Sequence, residues 1–199
     1  KWVRRFHDTY HNEALTMRGG VINRSWADQL LLGFTLAGMH KDLQTGVRQE
    51  VVYGEKYRFG HSFMHSLQYV KRNLLHNRLD LTLTDNYNRN LTTNVDTSAY
   101  DFNWRGESVP RNSPGEQNYL FLRYNDDNWN AGLDARFRLD EHSLLTFHHT
   151  FGRFDRNATS LLARENEKAP IGRGTTKHIS GLSYLFTPNE HWNVTAFGK

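Results

Sequence analysis

The stretch from Trp129 to Leu139, WNAGLDARFRL, constrains the fold more than any other part of this chain. Trp129, Ala131, Leu133, Ala135, Phe137 and Leu139 share one side of an extended backbone, while Asn130, Gly132, Asp134, Arg136 and Arg138 share the other. A strand turns successive side chains to opposite faces, so this segment has one apolar face and one polar face. Its length carries equal weight, because a tilted strand needs about 9–11 residues to cross a bilayer. The same pattern recurs along the chain at about the same length, which is the signature of a membrane β-barrel.

Composition excludes the other route across a membrane. Only 37% of the 199 residues are hydrophobic, and the mean hydropathy is −0.75. A spanning helix needs about 18 consecutive apolar residues, whereas the longest such run here is Leu30-Leu31-Leu32-Gly33-Phe34. A barrel escapes that requirement because every second residue faces a polar lumen. The 12 Phe, 9 Tyr and 5 Trp are the material of aromatic girdles. The same composition suits a soluble β-sandwich that binds glycans through its aromatic residues, and this is the rival reading. No Cys is present, which removes disulfide scaffolds, zinc-thiolate sites and cysteine nucleophiles. The formal charge of +4 comes from scattered residues. It reads as solvated faces, loops and lumen, and no nucleic-acid partner is expected.

Alternation and turn residues mark about nine extended segments. They are 28–40, 60–71, 76–87, 99–105, 118–125, 129–139, 142–152, 177–186 and 190–199. Asp126-Asp127-Asn128, Asp140-Glu141 and Thr187-Pro188-Asn189 read as tight turns, as does Arg18-Gly19-Gly20-Val21. No element is assigned with certainty in the first 27 residues. Strict up-and-down connection puts three long loops and one tight turn at one end. The other end receives short turns and one misfit, Gly106–Gln117. The expectation is an all-β, antiparallel up-and-down transmembrane β-barrel, partial, with residues 1–199 forming part of one barrel domain. Candidate lipid-facing residues are Leu30, Leu32, Phe34, Leu79, Leu81, Leu83, Leu133 and Phe137. Candidate lumen-facing residues are Asp80, Thr82, Thr84, Asp134, Arg136 and Arg138. No secretory leader is visible behind Lys1-Trp2-Val3-Arg4-Arg5, and both ends read as cut from a longer chain.

Catalytic and metal chemistry finds no foothold. His7 and His11 have helical metal-ligand spacing, but no HExxH accompanies them. His148 and His149 point to opposite faces of a strand. A nucleophile-elbow GxSxG is absent. Glu165 and Glu167, in the loop 153–176, read as solvated beside Arg164 and Lys168. The expectation is a non-enzyme with no cofactor and no metal.

Four segments carry a resemblance to a known family: Trp26-Ala27-Asp28-Gln29-Leu30, the run Leu79–Asn88, Asp96-Thr97 with the strand Tyr100–Trp104, and Trp192–Lys199 after Pro188-Asn189. In these the chain resembles the barrel of TonB-dependent outer-membrane receptors of the Bacteroidetes type. The resemblance implies a barrel of about 22 strands with a plugged lumen. It implies location in the bacterial outer membrane and import of a scarce nutrient: an extracellular small molecule, glycan or peptide. It also implies two partners outside this piece, a plug domain and a periplasmic energy-coupling protein. The long loops, 153–176 above all, would then help to capture the ligand.

Overall fold

The computed structural model describes residues 2–47, 49–162 and 172–199. They form an antiparallel sheet of eight strands in the order β1-β2-β3-β4-β7-β8-β9-β10, with a separate two-stranded sheet, β5-β6. The main strands are β1 (Tyr10–Arg24), β2 (Ala27–Asp42), β3 (Tyr57–Asn73), β4 (Leu79–Asp96), β7 (Leu120–Arg138), β8 (Ser143–Ser160), β9 (Arg173–Asn189) and β10 (Trp192–Gly198). The hairpin strands are β5 (Tyr100–Phe102) and β6 (Ser108–Pro110), and one short turn, α1, spans Leu74–Asn77. Apart from the small hairpin and α1, each strand touches only its hydrogen-bonded neighbours. The sheet is therefore a single layer, and no described element packs over either face. β1 and β10 each leave one edge unpaired. No described helix is long and apolar enough to cross a membrane.

The strands are longer than alternation alone indicates. Asn118–Asn125 and Trp129–Leu139, expected as two strands, are one continuous strand, β7, of 19 residues. The expected turn at Asp126-Asp127-Asn128 lies inside it. These turn-type residues are held by neighbouring strands instead: Arg156 binds Asp126 through two nitrogens at 2.7 and 2.5 Å, and the Tyr87 hydroxyl donates to Asp127. β4 runs on past Tyr87 to Asp96, and β8 runs past Gly152 to Ser160. Both extensions are polar on both faces, so alternation fades while the backbone ladder continues.

Three further expectations are corrected. Arg18–Val21 is not a turn but the middle of β1. Gly20 is needed there for close approach, since a Cβ at that position would lie 2.0 Å from the Leu30 carbonyl oxygen. Ala99–Arg105 is not a full-length strand; it contributes only β5 to the small hairpin. β9 continues through Thr187-Pro188-Asn189, and the turn falls at Glu190-His191. The loop 153–176 shrinks to 161–172, and Glu165 and Glu167 lie outside the described residues.

With these changes the misfit in the connections disappears. Ser25-Trp26, 74–78, 139–142 and Glu190-His191 are all short and lie at one end of the sheet. The stretches 43–56, 97–119 and 161–172 are all long and lie at the other. Gly106–Gln117 belongs to the long end, because Ala99–Arg105 is not a full strand and 97–119 is a single connection; the merger within β7 then leaves the later connections at the ends expected for them.

Proline is disfavoured where a strand is paired on both sides, since it loses a ladder hydrogen bond; Pro188 of β9 lies beyond the last residue paired with β8. Asn128→Pro should therefore destabilise the fold by about 1–3 kcal/mol, the cost of a group left without its partner, read as a lowered midpoint in denaturant unfolding. A tight turn at 126–128 would accept the substitution without loss.

Candidate functional site

The ladder sorts the side chains into two faces, because directly opposite residues on antiparallel strands point the same way. One register row runs Val21–Leu30–Tyr69–Leu83–Leu133–His149–Ser180 across β1, β2, β3, β4, β7, β8 and β9. Leu32 and Phe34 follow Leu30 on the same face of β2. Leu79 stands opposite Phe137, and Leu81 opposite Ala135. All eight residues expected to face lipid are thus on one face. Asp80 stands opposite Arg136, Thr82 opposite Asp134, and Thr84 opposite Gly132. These residues and Arg138, whose Nη2 lies 2.8 Å from Asp80, share the other face.

The apolar face is openly exposed. Leu32, Phe34, Leu36, Leu83, Trp129, Leu139, Leu182 and Phe186 are all exposed, and only five apolar residues among the described residues are buried. On this face the apolar residues form a band that crosses the register rows obliquely. On β2 they run from Leu30 to Leu36, wholly on the long-loop side of the Leu30–Ser180 row. On β9 they are Leu182, Tyr184 and Phe186, wholly on the turn side of it. The limits are charged: Asp28 and Lys71, 3.3 Å apart, lie just below the band on β2 and β3, and Arg89 and Asp127 lie just above it on β4 and β7.

Aromatic rings border the band on both sides. On the long-loop side His65 stacks on Tyr87 at 5.4 Å, Trp129 meets Phe151 edge-on at 5.0 Å, and Phe151 lies 5.1 Å from His178. Tyr87 and Trp129 are direct cross-strand partners, so the belt is continuous from β3 to β9. Its polar tips are satisfied: the Trp129 indole N–H donates to Asp85, and Tyr87 donates to Asp127. On the turn side stands Tyr69, whose hydroxyl donates to the Trp26 carbonyl at 2.7 Å; Tyr184, within the band on β9, lies 3.1 Å from the Ser143 hydroxyl.

The long-loop end holds the other organised feature, a buried polar platform that sequence reasoning missed. Asp96, with no exposed surface, accepts from the backbone N–H groups of Glu116, Gln117 and Asn118 at 2.5, 3.0 and 3.0 Å. Lys56 Nζ lies 3.3 Å from it. Glu116 accepts from the N–H groups of Gly54 and Glu55. Gln44 accepts from Phe6 and His7 at 2.9 and 3.2 Å. Burial holds the Glu116 carboxyl above its ordinary range, opposed by those two backbone donors and reinforced by nearby Asp96. These side chains tie loop 43–56, loop 97–119 and the segment before β1 into one surface. The one signal in the sequence was Asp96 itself, standing where the strand gives way to a Gly- and Pro-bearing loop.

No group of three His, Asp or Glu able to hold a metal occurs among the described residues. His148 and His149 lie on opposite faces, as expected, with His148 Nδ1 2.6 Å from Asp134 and His149 Nδ1 2.7 Å from Ser180. No protein family and no curated protein matches this chain.

Asp96→Asn turns an acceptor into a donor opposite a backbone N–H and leaves Lys56 without its carboxylate. Breaking a buried, hydrogen-bonded pair costs about 3–5 kcal/mol. Hydrogen exchange of the Glu116, Gln117 and Asn118 amides should accelerate at least a hundredfold, with the strand amides of β4 near Leu81 unchanged.

Proposed function

We propose that this chain is a sector of the wall of a bacterial outer-membrane receptor that imports a scarce nutrient, of the TonB-dependent type that its sequence resembles. The observation that carries the membrane part is the oblique apolar band. A bilayer cuts a barrel at constant height, but the strands of a barrel are tilted. The lipid-facing segment must therefore slide along each strand relative to its neighbour. Strands about 4.8 Å apart and tilted about 40° require a slide of roughly 1.2 residues per strand. The band centre lies level with Gly33 on β2, and Gly33 shares its row with Lys177 on β9. The centre on β9 is instead Tyr184, so the slide is roughly seven residues over five strand steps, close to the geometric requirement.

The height of the band supports the same reading. From Leu139 to Trp129 the strand rises about 33 Å, which at a tilt near 40° spans about 25 Å, the height of the apolar belt of such barrels. Short turns at one end and long loops at the other match a periplasmic and an extracellular end. In this reading the Asp96–Glu116 platform presents the extracellular loops to the ligand. The open edges of β1 and β10 take the remaining strands of the wall. The plug and the energy-coupling protein engage parts of the receptor outside this chain. A soluble sandwich would need a second sheet over the apolar face, and the described elements supply none.

Leu81→Arg should cost about 2–4 kcal/mol near the bilayer midplane in reversible unfolding from lipid vesicles. Thr82→Arg, one residue along and beside Asp134, should cost far less. Equal costs at the two positions would overturn the assignment of faces.

A further inference from the structure

We propose that the polar face carries an oxyanion-binding site on β7, β8 and β9, centred on Arg156, Arg173 and Lys177. It rests on the reading above in taking this face to line a water-filled lumen. The register assembles it. Asp126 stands opposite Arg156, and Arg156 opposite Arg173. Asn130 stands opposite Gly152, and Gly152 opposite Lys177. Between these two rows lies the ring of Phe154. Together they border an open depression of about 480 Å³ near the long-loop end.

Among the described residues the charges there do not cancel. Asp126 is committed to Arg156, which it holds at 2.7 and 2.5 Å. The guanidinium is further fixed between the rings of Tyr124 at 5.2 Å and Phe154 at 5.6 Å. Arg173 and Lys177 have no hydrogen-bond or ion-pair partner among the described residues. Like charges directly opposite in a sheet are destabilising, so the Arg156–Arg173 pair is a cost that a bound anion would offset. At the same height on the apolar face the cations are neutralised instead, Arg153 by Asp155 at 2.5 Å and Arg89 by Asp127 at 3.8 Å.

The shape of the site sets the ligand class. Arg173 and Lys177 are about 13 Å apart along β9, a span for two separate anionic groups. Gly152 leaves the floor open beside Lys177, with only the Asn130 amide oxygen 3.4 Å from where a Cβ would stand. Arginine takes carboxylate or phosphate through a planar fork, and lysine acts as a point charge. The site is suited to a small molecule that carries two or more carboxylate or phosphate groups, with its apolar part over Phe154.

The test titrates the intact protein, folded in detergent micelles, with tripolyphosphate and citrate as probes and maltotriose as a neutral control. Calorimetry should show the two anions binding and maltotriose not. The double variant Arg173→Gln with Lys177→Gln should bind tripolyphosphate at least tenfold more weakly. Arg89→Gln, on the other face and outside the depression, should bind it as the wild type does. Should the double variant fail to fold, Lys177→Gln alone should weaken binding at least threefold. Failure of the wild type to bind either anion, or equal affinity of a folded Arg173/Lys177 variant, overturns the site. A fluorophore at Leu133→Cys, exposed to brominated lipid after reconstitution, reports separately on the wall. Absence of quenching there overturns the barrel reading whatever the titrations show.

Discussion

The antiparallel ladder is the interaction on which the rest of this structure depends. Each hydrogen-bonded pair of strands transmits one piece of information, which residue stands opposite which, and opposite residues share a face. Seven such pairings in series therefore set the orientation of side chains from Val21 to Val194. A slip of one residue between β3 and β4 would carry Asp80, Thr82 and, with them, Asp134 onto the side that is apolar in β1 to β3. The slip is opposed wherever one face is apolar, and it is opposed in the polar stretches toward the long loops by specific pairs. Asp126 with Arg156 and Tyr87 with Asp127 pin β7 to both its neighbours.

This organisation inverts that of a water-soluble domain. The large apolar side chains are mostly on the surface, in a band edged by rings, while the largest fully buried side chains among the described residues, Gln44 and Asp96, are polar and sit at the long-loop end. An aqueous protein rarely exposes so extensive an apolar surface. A barrel in lipid must, because its backbone groups are already paired within the sheet and its side chains meet hydrocarbon. The buried carboxylates Asp96 and Glu116 serve the opposite end of the same molecule. There the loops lack a continuous ladder, and their backbone N–H groups need other acceptors.

How much of this could be read from the sequence follows from the same division. Leu79–Leu83 and Trp129–Leu139 disclosed their faces directly, because within the band apolar and polar neighbours alternate. Beyond it polar residues occur on both faces, so residues 89–96, 126–128 and 153–160 lose the alternation while staying in the ladder, and they read as loops or turns. Gly19-Gly20 misled for a related reason: a glycine required by a close strand contact has the same letter as one required by a turn. The platform was invisible because Asp96 and its acceptor role depend on amides 20 and more residues away. The obliquity of the band needs the register, which local periodicity does not contain.

The central claim is that one face of this sheet meets lipid at constant height while the strands tilt past it. Spin labels placed one at a time along β2, β7 and β9 in a reconstituted bilayer test it most directly, through their accessibility to oxygen and to a water-soluble nickel chelate. The account predicts that oxygen accessibility alternates with a period of two. Its maximum should fall near Phe34 on β2, near Leu133 on β7 and near Tyr184 on β9, stepping across the register rows. Maxima that follow a single row, so that β9 peaks level with Lys177, or profiles without alternation, would contradict it.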